Sequence, residues 1–192
     1  MKRPVPRHLI HRLLGSGPVT LVTAQVRGHA DVSAVAWVMP VSGDPPLVAI
    51  AVEPVRHLHE LISRSDEFTI NVPHAGLLRE AHRCGTVSGA DHDKFAETGL
   101  HAVSARQVEA PWIDECVAHL ECGVVGVTEQ GDHTLFLGEV LAAWADEDAF
   151  KEQWQPAHEL GRLLHHLGGR NYTVSERVLD AGAPPAPPAE EG

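Results

Sequence analysis

Arg56 and Lys94 are the two cations in this sequence best placed to hold an anion. Arg56 stands at the head of a helical stretch whose free N–H groups favour negative charge, and Lys94 follows a glycine-containing loop. Trp37-Val38-Met39 sets a flat indole beside a polarisable thioether, a surface suited to a flat aromatic ligand, although ordinary core packing explains the same residues. Gly131-Asp132-His133 reads on its own as a turn, which sets an imidazole next to a carboxylate able to fix its tautomer. Cys116, His119 and Cys122 look like metal ligands at a spacing of three. In a strand, however, 116 and 122 face one side and 119 the other, so they do not converge on one ion. His57 with His59, and His165 with His166, lack the i, i+4 spacing of a helical ligand pair, and no metal is expected. Cys84, before Gly85, fits a small buried thiol better than a reactive one.

Charge narrows the partners. Fifteen Lys and Arg against 26 Asp and Glu give a formal charge of -11, which repels nucleic acid and anionic lipid surfaces over a Debye length of ~10 Å. A phosphorylated ligand therefore needs a local cationic site. No stretch of ~18 apolar residues occurs, so no membrane span is expected. Pro4, Pro6, His8, His11 and Arg12 interrupt the apolar run of an export signal, and three scattered cysteines form no disulfide framework; both point to a reducing cytoplasm.

The elements that must position these residues are mostly strands. Residues 8–14 carry apolar side chains at helical spacing and end at Gly15-Ser16-Gly17-Pro18. Strands are predicted over Pro18–Val26, Val32–Val38 and Leu47–Val52, with a helix over Val55–Arg64 in which Leu58, Leu61 and Ile62 face inward. Phe68–Val72 is a further strand, Leu77–His82 a helix, and Cys84–Gly89 an irregular loop suited to ligand contact. Cys116–Thr128 and His133–Trp144 pair as an antiparallel hairpin. That makes six strands without the helix-after-strand alternation of a parallel sheet, which favours a mainly β, closed or nearly closed antiparallel barrel. One domain over residues 1–178 is expected, and the Pro/Ala-rich acidic tail, 179–192, cannot bury a core and is read as disordered. There is no Gly-x-Gly-x-x-Gly, hence no separate dinucleotide-binding domain.

The run Asp31–Ser42 closely resembles the signature strand and loop of the flavin-reductase-like family of FMN-binding split barrels. The resemblance continues through Pro45–Ile50, Arg56–Leu61, Phe68–Pro73, Cys84–Gly89, Asp93–Phe95, Gly131–His133 and Leu167–Tyr172, in order, over roughly residues 10–175. It implies a Greek-key split β-barrel that binds FMN and takes hydride from NAD(P)H. It also implies a homodimer and, as one use of the reduced flavin, a partner monooxygenase. The residues it places around FMN are Asp31, Trp37, Val38, Met39, Arg56, His57, Leu58, Ser88, Gly89 and Lys94, with His133 near the nicotinamide. Two of them depart from the family pattern: Leu58 stands where a hydroxyl is usual, and Asp31, where Asn is common, sets a carboxylate near an anionic ligand unless it points elsewhere. The alternative is an FMN-binding electron carrier, flavoredoxin-like, or a redox sensor, without nucleotide turnover.

Overall fold

The computed structural model describes residues 3–15 and 17–182. β1 (Thr20–Val26) and β2 (His29–Val35) are joined by Arg27-Gly28, both at positive φ (53° and 82°). Two left-handed residues give the turn that matches the twist of paired strands, which fixes the register from Thr20 opposite Val35 to Val26 opposite His29. β3 (Val38–Gly43), β4 (Pro46–Val52), α1 (His57–Ser65), β5 (Glu67–Val72), α2 (Leu78–Thr86) and α3 (Lys94–Thr98) follow. Then come the short β6 (Ala102–Val103) and β7 (Trp112–Ile113), the long hairpin β8 (Ala118–Gln130) and β9 (His133–Ala145), and β10 (Leu164–Gly168) with β11 (Asn171–Val174).

Seven strands form one antiparallel sheet in the order β2-β1-β5-β8-β9-β4-β3, and β6–β7 and β10–β11 are separate ribbons. The Ala51 N–H donates to the Trp37 carbonyl at 2.9 Å, which extends the β3–β4 register one pair beyond Val38 opposite Ile50. β2 and β3, the two edges of the sheet, are joined through Ala36-Trp37 and not by a ladder among the described residues, and the line between these edges is the seam of the split barrel. Val22, Val35, Ile50, Phe68, Ile70 and Phe136 fill the interior. α1 plugs it with Leu58, Leu61 and Ile62, the apolar stripe of an amphipathic helix. A second core, with Leu21, Val32, Ala81, Cys84 and Leu164, lies between the sheet, α2 and β10.

Four expectations need correction. Val32–Val38 is not one strand: pairing breaks at Ala36-Trp37, and β3 begins at Val38. Pro40 is accommodated in β3 because β3 is an edge, where a residue without an N–H costs no ladder bond. α2 runs on through Cys84-Gly85, so those residues are helix, not loop. A side chain at 85 would press on Ala34 Cβ at 3.1 Å, which is why glycine fits there. Residues 7–13 form a 3-10 turn with no buried residue, and β10–β11 went unpredicted. Of the tail, 183–192 lies outside the described residues.

The would-be metal ligands part company. Cys122 packs inside the barrel and Cys116 in the second core, while His119 stacks on Trp112 with centroids 4.6 Å apart and planes at 3°. His119 Nδ1 donates to Asn71 Oδ1 at 2.8 Å, since a carboxamide oxygen can only accept. Burial pushes the His119 pKa down to about 4. The fold holds a neutral ring, whereas the unfolded chain takes up a proton below about 6.5. The contribution of this ring is therefore present above pH 6.5 and lost as pH falls toward 4, by up to about 3 kcal/mol. Urea unfolding at pH 7 and pH 4.5 should show that loss in the natural protein and a shallower one in His119→Gln. Equal losses in both would remove His119 as the cause.

Candidate functional site

A cleft of about 570 Å³ lies along the seam. Its walls are Ser33–Trp37 from the end of β2, Ala51–Glu53 from the end of β4, Gly85, Asp132-His133, and Arg56 just before α1; Arg7, His8 and His11 reach it from the N-terminal turn. Its position follows from topology. β2 is an edge strand, so part of its backbone N–H and C=O groups point away from β1 and need other partners. Ala34, Ala36, Ala51 and Gly85 keep the walls low.

Trp37 is 41% exposed and forms part of the rim. The His133 ring stacks on its indole with centroids 4.4 Å apart and planes at 29°, and His11 meets it edge-on at 5.8 Å. His133 Nδ1 lies 2.6 Å from Asp132 Oδ1. The carboxylate can only accept, so Nδ1 carries the proton and Nε2 remains an acceptor while the ring is neutral. That hydrogen bond holds the Asp132 carboxyl below its ordinary range. Gly131-Asp132 thus forms the turn between β8 and β9, and Asp132 and His133 line the cleft. Val38 and Met39 line an adjoining, mostly apolar hollow of about 400 Å³ that shares His11, Ala36, Trp37 and Ala51 with the cleft.

The two predicted cations differ. Arg56 is on the cleft and exposed, with its Nε donating to Glu53 at 2.7 Å. Lys94 is buried, and its ammonium donates to the Val32 carbonyl at 2.6 Å, to Asp31 at 3.1 and 3.2 Å, and to Ser33 Oγ at 3.3 Å. It is not a free cation. Asp31 points to Lys94, and a side chain at Gly89 would fall on that carboxylate, so this glycine is explained by Asp31 without a ligand. Asp31, His57, Gly89 and Lys94 line a second hollow of about 1100 Å³, together with Arg27 and Arg64. No residue lines both hollows, but Ser33 of the first and Asp31 of the second are two apart on β2, and Arg56 of the first adjoins His57 of the second. Leu58 is fully buried in the barrel core, so its side chain cannot meet a ligand. Ser88 caps its own loop, accepting the Ala90 N–H at 3.2 Å. Arg7, His8 and His11 escaped the sequence reading, because a one-sided 3-10 turn carries no signal of what it folds over.

The fold and the cleft define a mainly antiparallel, FMN-binding type of split barrel. The chain belongs to the flavin reductase like domain family, whose model matches residues 14–173. It is 40% identical over 139 residues to an uncharacterised protein of Archaeoglobus fulgidus, covering 72% of this chain and 77% of that one. To an NADH-dependent FAD reductase of Streptomyces globisporus it is 34% identical over 148 residues, covering 73% and 77%. The crystal structure of a flavoredoxin from Methanosarcina acetivorans superposes with a TM-score of 0.80 at 27% identity, covering 94% of this chain and 95% of that one. Among the described residues no helix is long and apolar enough to cross a membrane, and no cluster of three or more His, Cys, Asp or Glu could hold a metal ion.

A flavin requires an apolar slot, donors at the ring edge and a partner for its phosphate. The cleft volume falls within the ~300–1000 Å³ usual for such ligands. Val35, Ala36 and Ala51 offer the slot, the open edge of β2 the backbone groups, and Arg56 the charge. These residues fit the group; Leu58 does not, and Lys94 is already engaged.

Proposed function

We propose that this protein is an NAD(P)H-dependent flavin oxidoreductase that holds FMN in the seam cleft. The carrying observation is that Trp37, Arg56 and His133, far apart in sequence, line one open cleft beside an edge strand. Bound FMN supplies the redox chemistry, accepting hydride from reduced nicotinamide and passing electrons on. The protein's part is positioning. The rim of Ala34, Ala36 and Trp37 walls the ring, Arg56 with the first-turn N–H groups of α1 meets the phosphate, and His133, its tautomer fixed by Asp132, offers Nε2 to the nicotinamide carboxamide. Reduced flavin then serves an acceptor such as a flavin-dependent monooxygenase. Exposed Met39, Val41, Val125, Val127 and Leu141 supply apolar surface for a homodimer, and the buried thiols suit a cytoplasmic setting. In this reading one flavin-binding domain spans residues 1–178.

The second reading, an electron carrier without nucleotide turnover, is favoured by the stack of His133 on Trp37, which covers one indole face. His133→Ala separates the two. A reductase should lose about tenfold in kcat/KM for the nucleotide, the effect of one hydrogen bond, with FMN affinity within about threefold of the natural protein. The visible spectrum reports flavin binding, and loss of nucleotide absorbance reports turnover. Unchanged nucleotide turnover in the variant would exclude the role given to His133. A natural protein that binds FMN but oxidises no nucleotide is the carrier.

A further inference from the structure

Behind the β2 rim lies a smaller hollow of about 270 Å³, lined by Val19, Ala34, Ala36, His82, Gly85, Thr86, His166, Gly169 and Tyr172. It shares Ala34, Ala36 and Gly85 with the seam cleft, so the two hollows adjoin at these three small residues. Two features set its chemistry. No Lys, Arg, Asp or Glu lines it, so a charged ligand would be desolvated there without a counter-ion. Its polar groups are also few and ordered. The Tyr172 hydroxyl and His82 Nδ1 are 3.1 Å apart, and His166 Nε2 donates to the Gly169 carbonyl at 3.1 Å. The His166 and Tyr172 rings lie 5.0 Å apart at 48°, and those of His82 and Tyr172 meet edge to face at 5.9 Å. Burial holds the Tyr172 pKa above its ordinary value, so the hydroxyl keeps its proton and can donate.

We propose that this hollow seats one uncharged six-membered ring bearing a carbonyl oxygen, with the Tyr172 hydroxyl donating to that oxygen and the ring of His166 as a wall. The space is below the ~300 Å³ at which drug-sized ligands begin, enough for one ring and not for a flavin or a dinucleotide. His82 Nδ1 then donates to the Tyr172 oxygen, which frees the hydroxyl proton for the ligand. Since the nicotinamide carboxamide is assigned to His133 in the seam cleft, the ring seated here is that of an aromatic carbonyl acceptor. Only the ring's use rests on the flavin reading; its binding does not.

The test is a ligand-observed NMR titration of the flavin-free protein with benzamide, benzoate and toluene. Benzamide should bind, with benzoate at least tenfold weaker. Tyr172→Phe should weaken benzamide roughly 3- to 10-fold, the value of one hydrogen bond, and leave toluene unchanged. Thr86→Phe, which fills the hollow from a position outside the seam cleft, should abolish both and spare FMN binding. With FMN bound, benzaldehyde should displace benzamide, whereas displacement by NADH would put the nicotinamide in this hollow and overturn the acceptor assignment. Benzamide binding that neither variant alters, that matches toluene's, or that benzaldehyde does not displace also overturns it. Loss of FMN binding with benzamide binding intact would count against the flavin cleft and not against this hollow.

Discussion

Lys94→Met is expected to cost the folded state about 3–5 kcal/mol, the range for stripping one partner from a buried ion pair. Lys94 is 2% exposed and Asp31 4%. The three acceptors around the ammonium, Val32 O, Asp31 and Ser33 Oγ, use all its protons. With the ammonium gone, the buried carboxylate, packed against Gly89, loses its countercharge. Asp31→Asn alone should be destabilising for the mirror-image reason, an ammonium without a countercharge. The double variant, Asp31→Asn with Lys94→Met, should recover much of the loss, because neither buried charge then remains. Urea unfolding of the four proteins at pH 7 measures this. A loss below about 1 kcal/mol in Lys94→Met, or a double variant as unstable as the sum of the singles, would contradict the buried pair.

This pair also marks where sequence reading stops. That Lys94 is a cation after a glycine-containing loop is local information. That its partner is Asp31, 63 residues earlier, is decided by the packing of α3 against β2, which no local pattern encodes. The departure at Asp31 was visible, and its resolution is that the carboxylate points elsewhere, to Lys94. Leu58 shows the opposite lesson. The spacing of Leu58, Leu61 and Ile62 already placed it on the buried stripe of α1, while motif position placed it at the phosphate, and burial prevailed. Long periodic elements such as β8, β9 and α1 were legible because many side chains repeat one message. β3, with Pro40, and the ribbon β10–β11 were not, because an edge relaxes the rule that proline breaks strands and short strands carry few repeats. At the site, Trp37, Arg56 and His133 were legible as residue types in matching motifs. The His82–Tyr172 contact joins residues 90 apart and needed the fold to be seen.

Arg56→Ala should divide binding from stability in the opposite sense. Its only side-chain partner among the described residues is Glu53, at 2.7 Å in an exposed pair. Such pairs contribute about 0–1 kcal/mol, so the unfolding midpoint should hardly move. The guanidinium has five N–H donors and only Nε is engaged, which leaves the outer fork free to meet a phosphate bidentately. The helix behind it adds first-turn N–H groups of the same sense. A charge-assisted contact of about 1.5–3 kcal/mol corresponds to a roughly 10- to 100-fold weaker FMN dissociation constant in Arg56→Ala. Riboflavin, which has the same ring without the phosphate, should bind the variant and the natural protein equally. Lys94→Met, assayed where it remains folded, should change FMN affinity by no more than about threefold, since its ammonium is already spent on Asp31, Val32 and Ser33. Fluorescence titration of all three proteins with FMN, and of the natural protein and Arg56→Ala with riboflavin, reads the five constants. If riboflavin weakens as much as FMN, Arg56 acts on the cleft's shape and not on the phosphate; if Lys94→Met outweighs Arg56→Ala, the buried pair opens to the ligand and the anion sits in the hollow around Lys94.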